Sequence, residues 1–407
     1  MPGPLSHIRV LDLSRILAAP TATQFLADMG AEVIKIERPG EGDDTRGWGP
    51  PFVVEPSEGR AGVSTYYASA NRGKRSVTVD FTTPEGQEIV RNLAIQSDVV
   101  IENYKVGGLA KYGLDYEAVA KINPKVIYCS VTGFGQTGPY APRAGYDFLI
   151  QGMGGLMSIT GERDDLPGGG PQKLGVAISD LLAGWNAVSS ILTALIKRDR
   201  TGEGEYIDIS LLDCTVAALV NQASYYLVSG KVPGRMGNAH ASVIPYQVFA
   251  TADGHMILAI GNDRQFKVFC EIAGIAHLAE DPRFKTMRAR IENRPHLIPE
   301  VAAAIARRTT DTWMAQLEAA AVPCGPINTI DRVFADPHVK ARGMVRELTE
   351  GAIAPYRAVA NPVKLASGDT TGPKTPPLLG EHTDDVLGGL LGMAADEIAD
   401  LRSRGIV

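Results

Sequence analysis

Sulfur chemistry is nearly absent from this chain: its four cysteines, Cys129, Cys214, Cys270 and Cys324, lie far apart with no C-x-x-C pair. That spacing excludes a disulfide framework and reads as buried thiols in a reducing compartment. The seven histidines form no H-x-x-x-H or Cys/His cluster, so no metal site is expected. Basic charge is not in excess either. Forty Lys and Arg against 46 Asp and Glu give a net charge of -6, which offers nucleic acid no attractive field. No run approaches the ~20 apolar residues of a membrane span. The stretch MPGPLSHIRVLDLS has no basic segment followed by an apolar one. The expectation is a soluble, cytoplasmic protein without nucleic-acid or membrane partners.

Three familiar ligand and catalytic signatures are missing as well. GMGG (152–155) falls one glycine short of a dinucleotide fingerprint, and no strong β-branched run leads into it. PGGGP (167–171) has no Lys-Ser/Thr after it and reads as a turn, not a phosphate loop. A G-x-S-x-G elbow is also lacking, which removes the common serine-hydrolase signature.

What is present is an alternation of strand and helix signals. The apolar runs IRVLDL (8–13), AEVIKIE (31–37), SVTVDF (76–81), DVVIENY (98–104) and VIYCSVTGF (126–134) read as strands. Between them, Pro20 opens a short helix closed by Gly30, Thr83-Pro84 starts another, and YEAVAKI (116–122) gives a third. Repeated βαβ units predict an α/β fold with a Rossmann-like, mainly parallel sheet. Residues 181–197 form the longest apolar helix candidate, followed by YIDISLLD (206–213) as strand into helix. At 407 residues two domains are expected. From about 225 the character changes to a β-hairpin about Ala252-Asp253-Gly254 and short helices. The predicted division is a large domain over 1–224, a smaller α+β domain over 225–325, and a return segment with a C-terminal helix over 326–407.

Asp180, in GVAISDLLAG (175–184), stands between a short apolar run and the long helix. An aspartate there suits a helix N-cap. It equally suits an ionised nucleophile at a helix mouth, with backbone N–H groups nearby for a developing oxyanion. The residues alone leave both readings open.

Taken in order, VLDLSRILAAP (10–20), GAEVIKIERPGEGDDTR (30–46), NRGKRSVTVDF (71–81), ENYKVGGLAKYGLDY (102–116), VTGFGQTGP (131–139) and GVAISDLLAG resemble the family III CoA-transferases. This is the CaiB/BaiF, formyl-CoA transferase type, and the likeness covers nearly the whole chain. Within it, ERPGEGDDTRGWGPPFV (37–53) and GNAHASVIPYQVF look most like the succinyl-CoA:glutarate group. The resemblance implies that Asp180, in an x-x-x-D-x-x-x-G segment completed by Gly184, is the catalytic nucleophile. It implies that Arg38 contacts the CoA nucleotide and that Lys74 and Arg75 belong to the CoA-binding N-x-x-K-R-S segment. Asn103 and Tyr104 then lie beside adenine and pantetheine, and Lys111 stands where formyl-CoA transferase has arginine. Ile16 and Leu17 pack the cofactor backbone, while Tyr146 and Asp147 line the site. Asn238 and His240 fall in a loop that is glycine-rich in formyl-CoA transferase; His240 is either a substrate contact or a capping residue.

The implied activity is transfer of CoA from an acyl-CoA, succinyl-CoA, to a free dicarboxylic acid through an aspartyl mixed anhydride. Arg46, Arg143 and Arg235 are candidates for the distal carboxylate. Backbone N–H groups at the start of the helix carrying Asp180, and the loop near 238, are candidates for the oxyanion. CoA thioester is substrate, and no tightly bound cofactor is implied. An interlocked homodimer is implied as well. Two alternatives share the superfamily or its ligand: an α-methylacyl-CoA racemase type of enzyme and a non-catalytic CoA-binding protein. The racemase type places a histidine after the VTGFGQTGP-like segment, whereas 140–155 here contains none.

Overall fold

A computed structural model describes residues 3–366, 368, 370 and 372–407. Six strands form the main sheet: β1 (Arg9–Asp12), β2 (Glu32–Glu37), β3 (Arg75–Thr78), β4 (Val99–Glu102), β5 (Ile127–Thr132) and β6 (Glu205–Ser210). Their spatial order is β3-β2-β1-β4-β5-β6, and every neighbouring pair is parallel. This is the doubly wound order, in which the direction of winding reverses between β1 and β4.

The four inner strands, β2, β1, β4 and β5, are buried along nearly their whole length because helices cover both faces. On one face Val10, Val33, Val99, Ile101 and Ile127 meet α1 (Ala18–Asp28) and the long helix Ile178–Thr201. On the other, Leu11, Ile34, Val77, Val100 and Tyr128 meet α2 (Pro84–Ile95), α3 (Tyr116–Ile122) and two C-terminal helices, Thr383–Leu391 and Ala395–Ser403. The caps follow the residue types: Thr83 accepts the Gly86 N–H at 3.1 Å, with Pro84 in the first helical position. Two further helices complete the site region, α4 (Asp147–Met153) and, after the long helix α5 (Ile178–Thr201), α6 (Leu211–Ala217). By length and composition α5 resembles a membrane span. Its Ala183, Ala187, Ile191 and Ala194 nevertheless pack in the sheet core, and Arg198 pairs with Asp98 at 2.9 Å.

The chain divides into two compact units. The first comprises Met1–Leu156, Lys173–Lys231 and Lys340–Val407; the second comprises Met157–Gln172 and Val232–Val339. The sequence reading draws its lines after residues 224 and 325. The second unit holds a three-stranded antiparallel sheet of β7 (Tyr246–Ala250), β8 (His255–Ala259) and β9 (Cys324–Pro326), with β8 in the middle. The hairpin turn closes with Thr251 N–H on Gly254 O at 2.9 Å. Phe266, Phe269 and Trp313, all buried, centre its helical core.

Candidate active site

Where the winding reverses, the loops that leave β1 and β4 diverge and open a crevice beyond the strands' carboxyl ends. Asn103 ties its two rims together. Its side chain accepts from Arg15 N–H at 2.9 Å and donates to Arg15 O at 2.6 Å. The cavity is lined by Arg15, Ile16, Leu17, Asn103, Tyr104 and Lys105 from these loops, by Arg143 and Tyr146, and by Asp180. The Arg15 guanidinium lies over the Tyr104 ring, 5.0 Å from its centroid, and bonds Asp44 at 3.1 Å. Its Nε is buried without a partner, an open donor beside the crevice.

Helix α5 begins at Ile178, so Asp180 sits inside the first turn and not at the cap. The N-cap position is Ala177, which supplies no side-chain acceptor. The Asp147 carboxylate caps the helix instead: Oδ1 accepts Ser179 N–H at 2.8 Å and Asp180 N–H at 3.4 Å. Gln151 holds the other oxygen, Oδ2, at 2.7 Å. Ile178 and Leu181 N–H are taken by Val176 and Ala177 carbonyls. This corrects the expectation that the helix-start N–H groups stand open for an oxyanion; all of these are engaged. It also frees Asp180 from the structural duty its sequence position suggests. Among the described residues no side chain donates to its carboxylate. Burial, with the Asp147 charge adding to it, pushes the Asp180 carboxyl up to about 7. Tyr66 is close enough to feel the same charges; burial first, then Asp180 and Asp147, raise its phenol above the ordinary range.

Gly184 has a steric reason. A Cβ there would stand 2.7 Å from Ala18 O, so glycine alone lets α5 press against the start of α1. One turn earlier on the same helix, Asp180 is thereby brought to the Ile16–Ala18 turn.

The other predicted residues separate by environment. Arg38 is half-exposed and does not line the Asp180 cavity; it lines a small neighbouring one with Arg15 and Tyr104, paired with Glu41 at 3.1 Å and Asp44 at 3.2 Å. Lys74 is fully buried, bonded to Asp12 at 3.0 Å, Asn71 at 2.8 Å and Pro20 O at 3.0 Å. Arg75 opens β3 at the sheet's opposite, amino-terminal edge, 2.5 Å from Glu32 and paired with Asp385. Lys111 lies over Tyr112, 4.6 Å from its centroid, away from the cavity lining. Tyr146 is exposed at the mouth. In the second unit, Asn238 lines a cavity with Glu162, Arg163 and Arg294. His240 organises its own loop: Nδ1 accepts Ser242 N–H at 3.0 Å, and its carbonyl accepts from Arg294 at 2.6 Å.

Of the three arginines considered for a distal carboxylate, Arg46 is spent, being buried against Glu37 at 2.7 Å and bonded to Tyr67. Arg235 pairs with Asp164 in the second unit. Arg143 lines the Asp180 cavity with its guanidinium over Phe134 and Tyr140, and among the described residues it forms no ion pair.

Sequence reasoning missed the Asp147–Ser179 cap, since nothing in the sequence links residues 32 positions apart. Tyr66 carries no sequence signal either. Arg15 and Lys105 read from the sequence as two cations among several in the amino-terminal half; the place of Arg15 beside Ile16 in the first strand–helix turn is the available signal.

The family model described as CoA-transferase family III matches residues 5–383. A succinate–glutarate CoA-transferase from Agrobacterium fabrum is 50% identical over 389 residues, 95% of this chain and 96% of that protein. The succinyl-CoA:glutarate CoA-transferase of Homo sapiens is 42% identical over 404 residues, 99% of this chain and 90% of that protein. Among solved structures, a CAIB/BAIF family protein from Brucella suis gives a TM-score of 0.84 at 49% identity. That match covers 96% of this chain and all 100% of the other.

Proposed function

The chain belongs to CoA-transferase family III, and we propose that it moves CoA from succinyl-CoA to a glutarate-like dicarboxylic acid through an anhydride on Asp180. The observation that carries this reading is the state of that carboxylate. It lies in the switch-point crevice, relieved of helix capping by Asp147 and without a cationic partner among the described residues. A nucleophile needs its electron pair unshared, and an ion pair or a capping bond would blunt it.

The ionised Asp180 attacks the thioester carbonyl of succinyl-CoA; the C–S bond breaks, leaving an aspartyl–succinyl anhydride and CoA thiolate. The thiolate attacks the aspartyl carbonyl, releasing succinate and forming an aspartyl-CoA thioester. The acceptor carboxylate displaces CoA from this thioester, and the returning thiolate takes the acyl group from the second anhydride. Asp180 is regenerated, and one thioester has replaced another. The scheme uses no metal or redox group. Its demand on the protein is to exclude water while an anhydride exists.

Arg15, Lys105, Asn103 and Tyr104 in the crevice, with Arg38 in the small cavity beside it, supply cations and an aromatic face for the CoA phosphates and adenine. Arg143, without an ion pair of its own, is the reading's choice for the distal carboxylate shared by donor and acceptor diacids. Lys74 and Arg75 act through the fold, since both are already paired. The homodimer belongs to the same reading. The helix Val220–Ser229 has no buried residue and exposes Tyr225, Tyr226, Leu227 and Val228, an apolar face that a second copy would cover. Light scattering giving a monomer would count against that part.

The test is incubation with succinyl-CoA, trapping by hydroxylamine or borohydride, and peptide mass spectrometry beside an Asp180→Ala control. Modification confined to the peptide carrying Asp180 is the expected result. No adduct, with exchange surviving in the variant, would refute the anhydride. Glutaryl-CoA formed from succinyl-CoA and glutarate is the expected product; Arg143→Gln should shift preference from diacids toward monocarboxylic acids.

A further inference from the structure

The turn that faces Asp180 is strained. Ile16 has φ of 71°, the left-handed region, where a β-branched residue is a genuine outlier and persists only if its surroundings over-determine it. Here they do. Ile16 N–H lies 3.2 Å from both Asp43 carboxylate oxygens. Asp43 is itself fixed by Thr45 N–H at 3.0 Å, Thr45 Oγ1 at 2.8 Å and Lys35 Nζ at 2.9 Å. Lys35 reaches on to Ser14 O at 2.7 Å, and Asn103 brackets the intervening Arg15. Ser14 and Ile16 are thus clamped from two buried side chains, Lys35 and Asp43, that do not themselves line the cavity, while the cavity-lining Asn103 holds Arg15 between them.

We propose that Asp43, held by Lys35 and Thr45, is a positioning residue that locks Ile16 in its left-handed conformation and so sets the Arg15–Leu17 rim against Asp180. The proposal rests on the reading of Asp180 given above. The strain has a use. If Ile16 relaxed to negative φ, the peptide groups on either side would rotate, carrying the Arg15 side chain and the Leu17 N–H with them. No hydrogen-bond acceptor within the chain takes the Leu17 N–H among the described residues. Strain of this kind, stored at a functional site, buys preorganisation.

The experiment is steady-state exchange between succinyl-CoA and glutarate, with rates normalised to folded protein by near-ultraviolet circular dichroism. Asp43→Asn should lower kcat by about tenfold or more while changing the KM for succinyl-CoA by less than about threefold. Adding Ile16→Gly to Asp43→Asn should recover most of the lost kcat, because glycine adopts positive φ without a clamp. A residue that only supports the fold would lose activity in proportion to folded protein and gain no kcat from the glycine. Wild-type kcat in Asp43→Asn, or a loss that Ile16→Gly leaves untouched, overturns the proposal. If Asp43→Asn does not fold, Thr45→Val keeps the Lys35 pair while removing one donor from the same carboxylate. It should show the same split and the same rescue at smaller size, and failure to do so is equally decisive. Wild-type protein without exchange, or Asp180→Asn protein with it, would instead overturn the reading of the site beneath the proposal.

Discussion

Two groups of carboxylates, both in the first unit, face opposite electrostatic conditions. Asp12 and Glu37 are buried beneath the crevice. Burial alone would raise their pKa values, yet Lys74, Lys35, Ser14 and Thr23 bring Asp12 down to about 2. Arg46, Lys35 and Ser76 do the same for Glu37, also to about 2. Asp180 is likewise desolvated, but the charge that adds to this is another carboxylate, Asp147, and it rises to about 7. The side-chain chemistry is shared; the partners decide the use. Where every lone pair is answered by a cation or hydroxyl, the carboxylate holds loops in place. Where the answer is withheld, it is available to react.

The most severe way to break the contrast is to remove the unanswered charge. Asp180→Asn should lower exchange by about a thousandfold or more, checked with succinyl-CoA and glutarate. The same change should stabilise the protein. The folded state holds the Asp180 proton more tightly than the unfolded chain, so wild-type stability falls as pH rises from about 4 through about 7. Scanning calorimetry should therefore find the variant's Tm above wild type at pH 8, with the gap closing toward pH 4. In wild type, kcat/KM for succinyl-CoA should rise with pH to a midpoint near 7, as the nucleophile ionises.

Breaking the satisfied cluster should cost stability before chemistry. Lys74→Met leaves Asp12 without its 3.0 Å partner and should cost about 3–5 kcal/mol in urea unfolding. Adding Asp12→Leu should return part of that loss, because two apolar groups replace a broken pair. The cluster's acid stability has a definite window. Its carboxylates are depressed, so their contribution is present above the unfolded pKa near 4 and is lost as pH falls toward about 2. A smaller effect is expected between the two regions. Gly184→Ala gains about 1 kcal/mol of helix propensity but drives a methyl to 2.7 Å from Ala18 O. The backbone shift should cost about 1–3 kcal/mol and lower kcat by displacing Asp180.

Much of the satisfied region was legible in the sequence, and little of the reactive one. IRVLDL, AEVIKIE and VIYCSVTGF declare strands by their density of β-branched and other apolar residues. Thr83-Pro84 and YEAVAKI declare helices by local chemistry, and α3 spans the seven residues Tyr116–Ile122 that the pattern marks. From these the winding follows. The environment of Asp180 is set by contacts between distant residues, which local periodicity does not encode. Reading the helix from residue 181 makes Asp180 a cap; its true start at Ile178 turns that residue inward. Lys74 and Arg46 look from the sequence like open cations, and only the folded chain reveals Asp12 and Glu37 beside them. Composition counts charges but cannot pair them.

Asp147 joins the two regimes, because it caps a helix and also repels the nucleophile. Asp147→Asn keeps an oxygen for Ser179 N–H but loses the charge, and its amide would meet the Gln151 amide that donates at 2.7 Å. The helix start should weaken by about 1 kcal/mol, the usual scale for an impaired cap. With the like charge gone, the acid limb of kcat/KM should move below its wild-type midpoint of about 7. It should remain above the ordinary aspartate range, since burial is the larger cause of the shift. A limb that stays in place would mean that burial alone sets the nucleophile's ionisation. A limb that falls to the ordinary range would mean that Asp147 is the dominant control and that the crevice is wetter than its lining implies.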